Sequence, residues 1–347
     1  MTTVPPSTPD DPTAVSRKKD HIELAFRSRV ESGELDPRFY YEPMLAAHPV
    51  PGSLAPLPFL GKTLRVPIWV SSMTGGTALA GKINHHLARA CGEFGMGMGL
   101  GSCRQLLYSD EYLPDFDVRD LMGSDAPLYA NLGVAQIEKL LEEKEMERLP
   151  AMLQKLRADG LIVHVNPLQE AMQPEGDVFQ RSPLEVVQEL LQLFDFKIIV
   201  KEVGQGFGPE SMRALLQLPL AAVEFAAGGG TNFAKLELLR SDVEKQSIFS
   251  KIAAVGHTAV VMLDWANALK SELGAQCLTP NLILSGGVSD FLDGYYLTQK
   301  SALPAVYGQA SGFLKHAQGD YATLQAFAKS QIRGLELAGA FLRLRND

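Results

Sequence analysis

Apolar residues in this chain gather into eight short β-rich runs: Val66–Met73, Met96–Ser102, Leu128–Leu132, Leu161–Asn166, Lys197–Val203, Ala222–Phe225, Leu282–Ser285 and Ala305–Tyr307. Between several of them the apolar spacing changes to that of an amphipathic helix, at Ala78–Phe94, Ile137–Leu156, Pro183–Phe194 and Thr258–Leu273. Strands alternating with helices predict a parallel sheet, either closed into a (β/α)8 TIM barrel or left open and doubly wound. The polar positions decide between the two. Glycines and polar residues follow almost every run at its C-terminal end, and a barrel assembles its site there from many loops. An open sheet concentrates its ligand contacts at one switch point. The pattern therefore predicts an α/β chain of the TIM-barrel class. Residues 1–16, rich in Pro, Thr and Asp, read as a disordered leader, and residues 17–347 as one barrel domain. Its N-terminal extension, Arg17 to Arg65, is expected to pack around the barrel.

Composition narrows the function classes. A chain of 347 residues, 46% of them hydrophobic, can build one such barrel with a large core. The formal net charge of −8 argues against nucleic acid as a partner, while leaving room for a local basic pocket that takes a small anion. Three cysteines, Cys91, Cys103 and Cys277, show no metal-type spacing and read as reduced thiols. No run approaches the roughly 18 apolar residues that would span a bilayer, so a cytoplasmic location with no membrane partner is expected.

The strand ends carry the candidate chemistry. After the first three runs come Ser71-Ser72-Met73-Thr74-Gly75-Gly76-Thr77, Gly99-Leu100-Gly101-Ser102-Cys103-Arg104 and Ala130-Asn131-Leu132-Gly133. Glycines let backbone approach a ligand, and the hydroxyls and amides beside them supply donors and acceptors. Later come Gly228-Gly229-Gly230-Thr231, Ser285-Gly286-Gly287 and Gly308-Gln309-Ala310-Ser311-Gly312. The last two follow strands seven and eight, where barrels usually hold a phosphate. Each cluster alone is also compatible with a tight turn.

The stretch Val163-His164-Val165-Asn166-Pro167-Leu168-Gln169-Glu170 is more specific. His164 and Asn166 alternate along a strand and so share one face, which in a barrel can be the lumen. A carboxylate at Glu170 beside neutral amides suits a hard cation such as Mg2+ shared with a diphosphate. Asp177 stands close enough in sequence to join that loop. Lys201 ends an apolar strand, where an ammonium is costly to desolvate unless it meets a negative charge. An anionic ring or phosphate would supply that charge, and so would an ion pair with Glu202. Arg17-Lys18-Lys19-Asp20-His21 opens an amphipathic helix and could close on an anion, although most basic runs of this kind are merely solvated.

Taken together these motifs resemble the type 2, FMN-dependent isopentenyl-diphosphate delta-isomerases. The resemblance rests on Arg17-Lys18 with His21, MTGG at 73–76, GSCR at 101–104, AN-x-G at 130–133, HVNPLQE at 164–170, KEVGQG at 201–206, GGGTN at 228–232 and SGG at 285–287. The motifs follow in family order from residue 17 to about 314. The resemblance implies an isoprenoid-biosynthesis enzyme that interconverts isopentenyl and dimethylallyl diphosphate. It further implies reduced FMN, Mg2+ and NADPH as cofactors, a prenyl diphosphate as substrate, and a homo-oligomer, tetramer or octamer. By motif position Met73, Thr74, Gly75, Ser102, Asn131, Lys201 and Thr231 are expected at the flavin, with Gly286, Gly287, Gln309 and Ala310 at its phosphate. Arg17, Lys18, His21, Ser102, Arg104, His164, Asn166 and Gln169 are expected at the substrate, and Glu170 at the metal. The flavin itself is the expected acid/base, with Gln169 a candidate helper in proton transfer.

Some positions depart from that pattern. Val255-Gly256-His257-Thr258 replaces the usual Trp-Gly-x-Pro-Thr, Glu224 stands where aspartate is common, and Val288-Ser289-Asp290 follows SGG without an arginine. Two rivals remain at this level. One is an FMN-dependent oxidase or dehydrogenase of 2-hydroxy acids, for which His257 is the obvious base. The other is a non-catalytic binder of flavin or prenyl phosphate.

Overall fold

The computed structural model describes residues 13–72 and 77–345. Eight parallel strands close into a barrel: β1 (Ile68–Val70), β2 (Gly97–Gly99), β3 (Leu128–Gly133), β4 (Gly160–His164), β5 (Lys197–Lys201), β6 (Ala222–Glu224), β7 (Leu282–Ser285) and β8 (Ala305–Gln309). Each strand pairs with its sequence neighbours, and β8 returns to β1 through Gly308 and Trp69. All eight runs of the sequence pattern form these strands. The TIM-barrel expectation holds.

The helices form where the 3.6-residue period placed them, with caps that explain their ends. Ala78–Phe94 starts at Thr77, whose side chain accepts from the Ala80 amide, and stops at Gly95 in the left-handed region. Pro183–Leu193 opens with a capping box between Ser182 and Glu185. Thr258 caps Ala259–Leu273 with its side chain alone, accepting from the Val261 amide. One expectation needs correcting. The run Ile137–Leu156 is two helices, Val134–Glu143 and Arg148–Leu156. Pro150 has no N–H for a continuous helix, but it is harmless in the first turn of a new one, and Lys144 turns the chain at φ 58°.

Two barrel layers matter for the site. Trp69, Tyr129, Ile162, Ile199, Ala222, Ile283 and Val306 form one buried apolar cluster in the lumen. It is closed from below by the antiparallel pair Leu57–Phe59 and Lys62–Leu64, with Phe59 edge-on to Trp69 at 6.5 Å. Gly97 shares this layer because any side chain there would run into the Trp69 ring. Strand side chains alternate, so the inward position two residues further along each strand forms a second layer. That layer reads Ser71, Gly99, Asn131, His164, Lys201, Glu224, Ser285 and Gly308. The lumen thus changes from apolar to polar within one pleat.

A second, smaller unit comprises Thr13–Tyr41 and Arg343–Arg345 of the described residues. It holds the helix Ala14–Leu24, which buries none of its residues, and the strand Phe39–Tyr41, paired with Leu342–Leu344. The helix begins at Ala14, inside the stretch expected as leader. Arg38 ion-pairs Asp36 at 2.7 Å, and the Arg345 guanidinium donates to the Phe39 carbonyl. Cys91, Cys103 and Cys277 are all free thiols. No helix among the described residues is long and apolar enough to cross a membrane.

Candidate active site

The polar layer opens into two adjoining cavities that share a floor of Ser72, Lys201, Val203 and Phe233. One, of 190 Å3, is walled by the glycine-rich turns after β6, β7 and β8. The other, of 110 Å3, is walled by Gly101, Ser102, Asn131, His164 and Gln169. A run of strand ends that the sequence shows only as separate clusters is therefore one site with two lobes.

Backbone builds the larger lobe. Gly229, Gly286 and Gly287 take φ of 103°, 90° and 71°, which bars other residues without strain. A Cβ on Gly230 would stand 3.1 Å from the Gly287 nitrogen, and one on Gly286 would strike the Ala227 backbone. These turns pack main chain against main chain, so backbone walls much of the lobe. Gln309 and Ala310 line it as well. The Gln309 side chain donates to the Val288 carbonyl at 3.2 Å, while its buried Oε1 has no partner. Ser71 Oγ and Ser72 Oγ are likewise buried and unpaired. Thr231 lines the lobe from an exposed position.

Lys201 is the hinge between the lobes. It is 6% exposed, and its ammonium donates to the Glu202 carbonyl at 2.7 Å. No ion pair joins it to a carboxylate among the described residues. The simple Lys201–Glu202 pair is not what forms. The Glu202 carboxylate instead accepts the amides of Gly204, Gln205 and Gly206 at 2.7, 2.6 and 2.8 Å. Burial raises its affinity for a proton, and those three amides with Lys201 oppose the shift.

In the smaller lobe His164 Nδ1 lies 2.7 Å from Asn131 Oδ1. Burial, then the charge of Lys201, holds the imidazole pKa down at about 3. The ring is neutral at ordinary pH, and with Nδ1–H donating to Asn131 its Nε2 is left as an acceptor. Asn166, 2% exposed, lies behind this wall. It donates to Glu170 at 2.8 Å and to Gln169 at 3.3 Å, and its buried Oδ1 is unpaired. Glu170 also accepts the Asp177 amide at 2.8 Å, so the loop 166–177 is tied through one carboxylate. Arg104 reaches the same loop through an exposed contact with Asp177 at 3.3 Å.

The structure thus gathers Ser102, Asn131, Lys201, Thr231, His164, Gln169, Gly286, Gly287, Gln309 and Ala310 on the two lobes, with Asn166, Glu170 and Arg104 joined to them through hydrogen bonds. Met73, Thr74 and Gly75 lie outside the described residues. Arg17, Lys18 and His21 sit exposed on the helix of the small unit. Ser72 was read only as a member of the cluster Ser71–Thr77 and Glu224 only as a departure from the family pattern, while Phe233 and Glu237 were not picked out from sequence. Ser72 and Phe233 line both lobes, and Glu224 lines the larger one at 0% exposed. Glu237, 4% exposed, faces Gln169 at 3.5 Å and pairs with Arg240. Ser72 had a signal in its strand-end cluster, and Glu224 in its place two residues past inward-facing Ala222. Among the described residues no cluster of three His, Cys, Asp or Glu side chains is arranged to hold a metal alone.

Comparison with known proteins places this geometry. The chain is 32% identical over 330 residues to the isopentenyl-diphosphate delta-isomerase of Rickettsia felis, covering 93% of this chain and 91% of that protein. It is 33% identical over 310 residues to the Rickettsia akari protein of the same name, covering 87% and 86%. No family model matches the chain. Among solved structures, a mandelate oxidase variant with benzaldehyde superposes with a TM-score of 0.56, covering 90% of this chain and 86% of that one at 12% identity. A variant of the same oxidase carrying a monooxide FMN adduct gives 0.55, covering 89% and 88% at 12% identity. At that identity the likeness is one of fold.

Proposed function

The chain belongs to the isopentenyl-diphosphate delta-isomerase family, and from that premise we propose that it interconverts isopentenyl and dimethylallyl diphosphate using reduced FMN and Mg2+. The observation that carries the proposal is the division of one polar barrel mouth into two lobes across Lys201. One substrate alone would not need a glycine cradle on one side of a buried cation and an amide–imidazole–carboxylate set on the other.

The residues fit both cofactors. The close-packed turns at Gly229–Thr231 and Gly286–Gly287, with the unpaired Gln309 Oε1 and Ser72 Oγ, suit a flat ring and a phosphate held by main chain. Lys201 would face the ring. Mg2+ keeps several waters and takes one or two carboxylates plus substrate phosphate, so Glu170 with the unpaired Asn166 Oδ1 is a sufficient protein share.

Moving the double bond requires a proton delivered to one carbon and another removed from its neighbour, through a tertiary cation. Bound and reduced, FMN supplies an electron-rich ring that stabilises positive charge and can exchange protons. The protein's part is orientation and exclusion of water. Phe233 and Val203 give the shared floor an apolar surface against the prenyl chain. His164, held neutral, offers Nε2 to a protonated diphosphate oxygen or takes up a proton as the dianion arrives. Gln169, fixed between Asn166 and Glu237, presents an amide to the reacting carbons as the helper in proton transfer. The roles of Arg17, Lys18, His21 and Arg104 as diphosphate ligands rest on the family resemblance. NADPH as reductant, a tetrameric or octameric assembly and a cytoplasmic location rest there too.

The oxidase rival loses its base. His257 lines a different cavity and packs edge-on to Trp265 at 4.9 Å. The test is anaerobic incubation with FMN, NADPH, Mg2+ and isopentenyl diphosphate. Dimethylallyl diphosphate should form, with a yellow protein that bleaches on reduction. Absence of product under those conditions would overturn the proposal.

A further inference from the structure

In the polar layer His164, Lys201 and Glu224 stand side by side, since His164 pairs with Lys201 and Lys201 with Glu224 in the strand register. All three point into the lumen, and Lys201 and Glu224 both line the larger lobe. Glu224 is fully buried. Ser285 Oγ donates to its Oε1 at 3.3 Å, and Oε2 has no partner. Lys201, its neighbour, gives its hydrogen bond to the Glu202 main chain instead. A carboxylate stripped of water beside a cation would normally take that cation as its partner. Here the two are adjacent and unpaired, with a cavity against both.

We propose that Glu224 sets the charge of the floor of the larger lobe: kept as the neutral acid, it leaves the Lys201 cation free to meet an anionic ligand rather than neutralising it. Burial favours the neutral acid; the Lys201 charge opposes it first, then the Ser71, Ser285 and Trp69 donors around the carboxyl. The other titratable groups around it are His164, held neutral, and Glu202, whose carboxylate is occupied by three amides. Ser71 on β1, Ser285 on β7 and Gln309 on β8 add no charge. With Glu224 neutral, Lys201 is the one charged side chain lining the lobe among the described residues. With it ionised the floor is close to neutral, and an anion loses its counter-charge. Glu224 acts through Lys201 and is a positioning residue for charge. For its ligand the proposal rests on the flavin reading, because the reduced ring is the anionic form.

The decisive variant is Glu224→Gln, which fixes the neutral shape, with Glu224→Asp as a control that keeps the acid. Binding of FMN, oxidised and dithionite-reduced, is measured by anaerobic fluorescence titration between pH 6 and 9. Where Glu224 holds its proton, wild type and Glu224→Gln should bind reduced FMN alike. Wherever it ionises, the wild type should lose preference for reduced FMN by about tenfold while Glu224→Gln retains it, one unit of charge being decisive at this range. A wild type weaker than Glu224→Gln for reduced FMN at every pH of the window, as a permanently ionised carboxylate would give, would overturn the inference. A second arm needs no flavin. A carboxyl whose folded pKa is raised contributes stability below its ordinary range and loses it as pH rises through the folded pKa. The apo Glu224→Gln protein should therefore gain on the apo wild type in urea midpoint as pH rises. A gap independent of pH would refute a proton on Glu224 even if FMN does not bind, and that failure would count against the flavin reading separately.

Discussion

Replacing Lys201 by methionine separates a site residue from a structural one. The ammonium is 6% exposed, makes one hydrogen bond and has no carboxylate partner among the described residues. An isolated buried ion of this kind costs several kcal/mol of desolvation, and one carbonyl bond returns about 1 kcal/mol. Methionine fills a similar volume without that cost. Removing the charge also takes compensation from Glu202 and Glu224, but the first holds three amides and burial disfavours charge on the second. The expected result is an apo protein more stable than wild type by about 1–3 kcal/mol in urea denaturation at neutral pH. Function should move the other way. A unit charge about 4 Å from an anionic ring at an effective dielectric near 20 contributes about 4 kcal/mol. Affinity for reduced FMN should accordingly fall by about a hundredfold or more, with a smaller loss for oxidised FMN. Stability is read from the denaturation midpoint and slope, and affinity from anaerobic titration. A Lys201→Met protein destabilised by more than about 1 kcal/mol with FMN binding intact would refute the reasoning and make Lys201 part of the scaffold.

Three further outcomes follow from particular contacts. His164 has a folded pKa near 3 against about 6.5 unfolded, so wild-type stability should fall by about 1 kcal/mol per pH unit from this group as pH drops below 6.5. His164→Asn should remove that slope in pH-dependent denaturation, and an unchanged slope would show that the imidazole is not held neutral. Glu170→Gln should leave flavin bound and raise the Mg2+ concentration needed for turnover by about 10–100-fold, and activity unchanged at limiting Mg2+ would remove it as the metal ligand. Gly286→Ala puts a methyl into the Ala227 backbone at φ 90°, so it should destabilise the fold by roughly 1–3 kcal/mol and abolish FMN binding. Tight FMN binding by that variant would show that the turn does not form the cradle.

Much of the fold was legible because its signals are local. Alternation along each strand and apolar spacing along each helix depend only on neighbours in the chain, as do the caps at Thr77, Ser182 and Thr258. The exception was local as well. Pro150 marks the break between Val134–Glu143 and Arg148–Leu156, and apolar periodicity alone ran through it. The site was legible as a set of strand ends and motifs, including His164, Asn166, Gln169, Glu170 and Lys201. Glu237 gave no sign, because its place beside Gln169 depends on how a helix 68 residues away packs.

By itself, then, the sequence determined the eight strands, their order and the kind of residue at each strand end, since period and propensity are carried residue by residue. Barrel closure decided the rest. It turned the second inward position of every strand into one polar ring, set Glu224 beside Lys201 by register, and left the two side chains unpaired against one cavity. Which buried polar groups satisfy one another and which are left for a ligand is a property of distance across the lumen. No spacing along the chain encodes it.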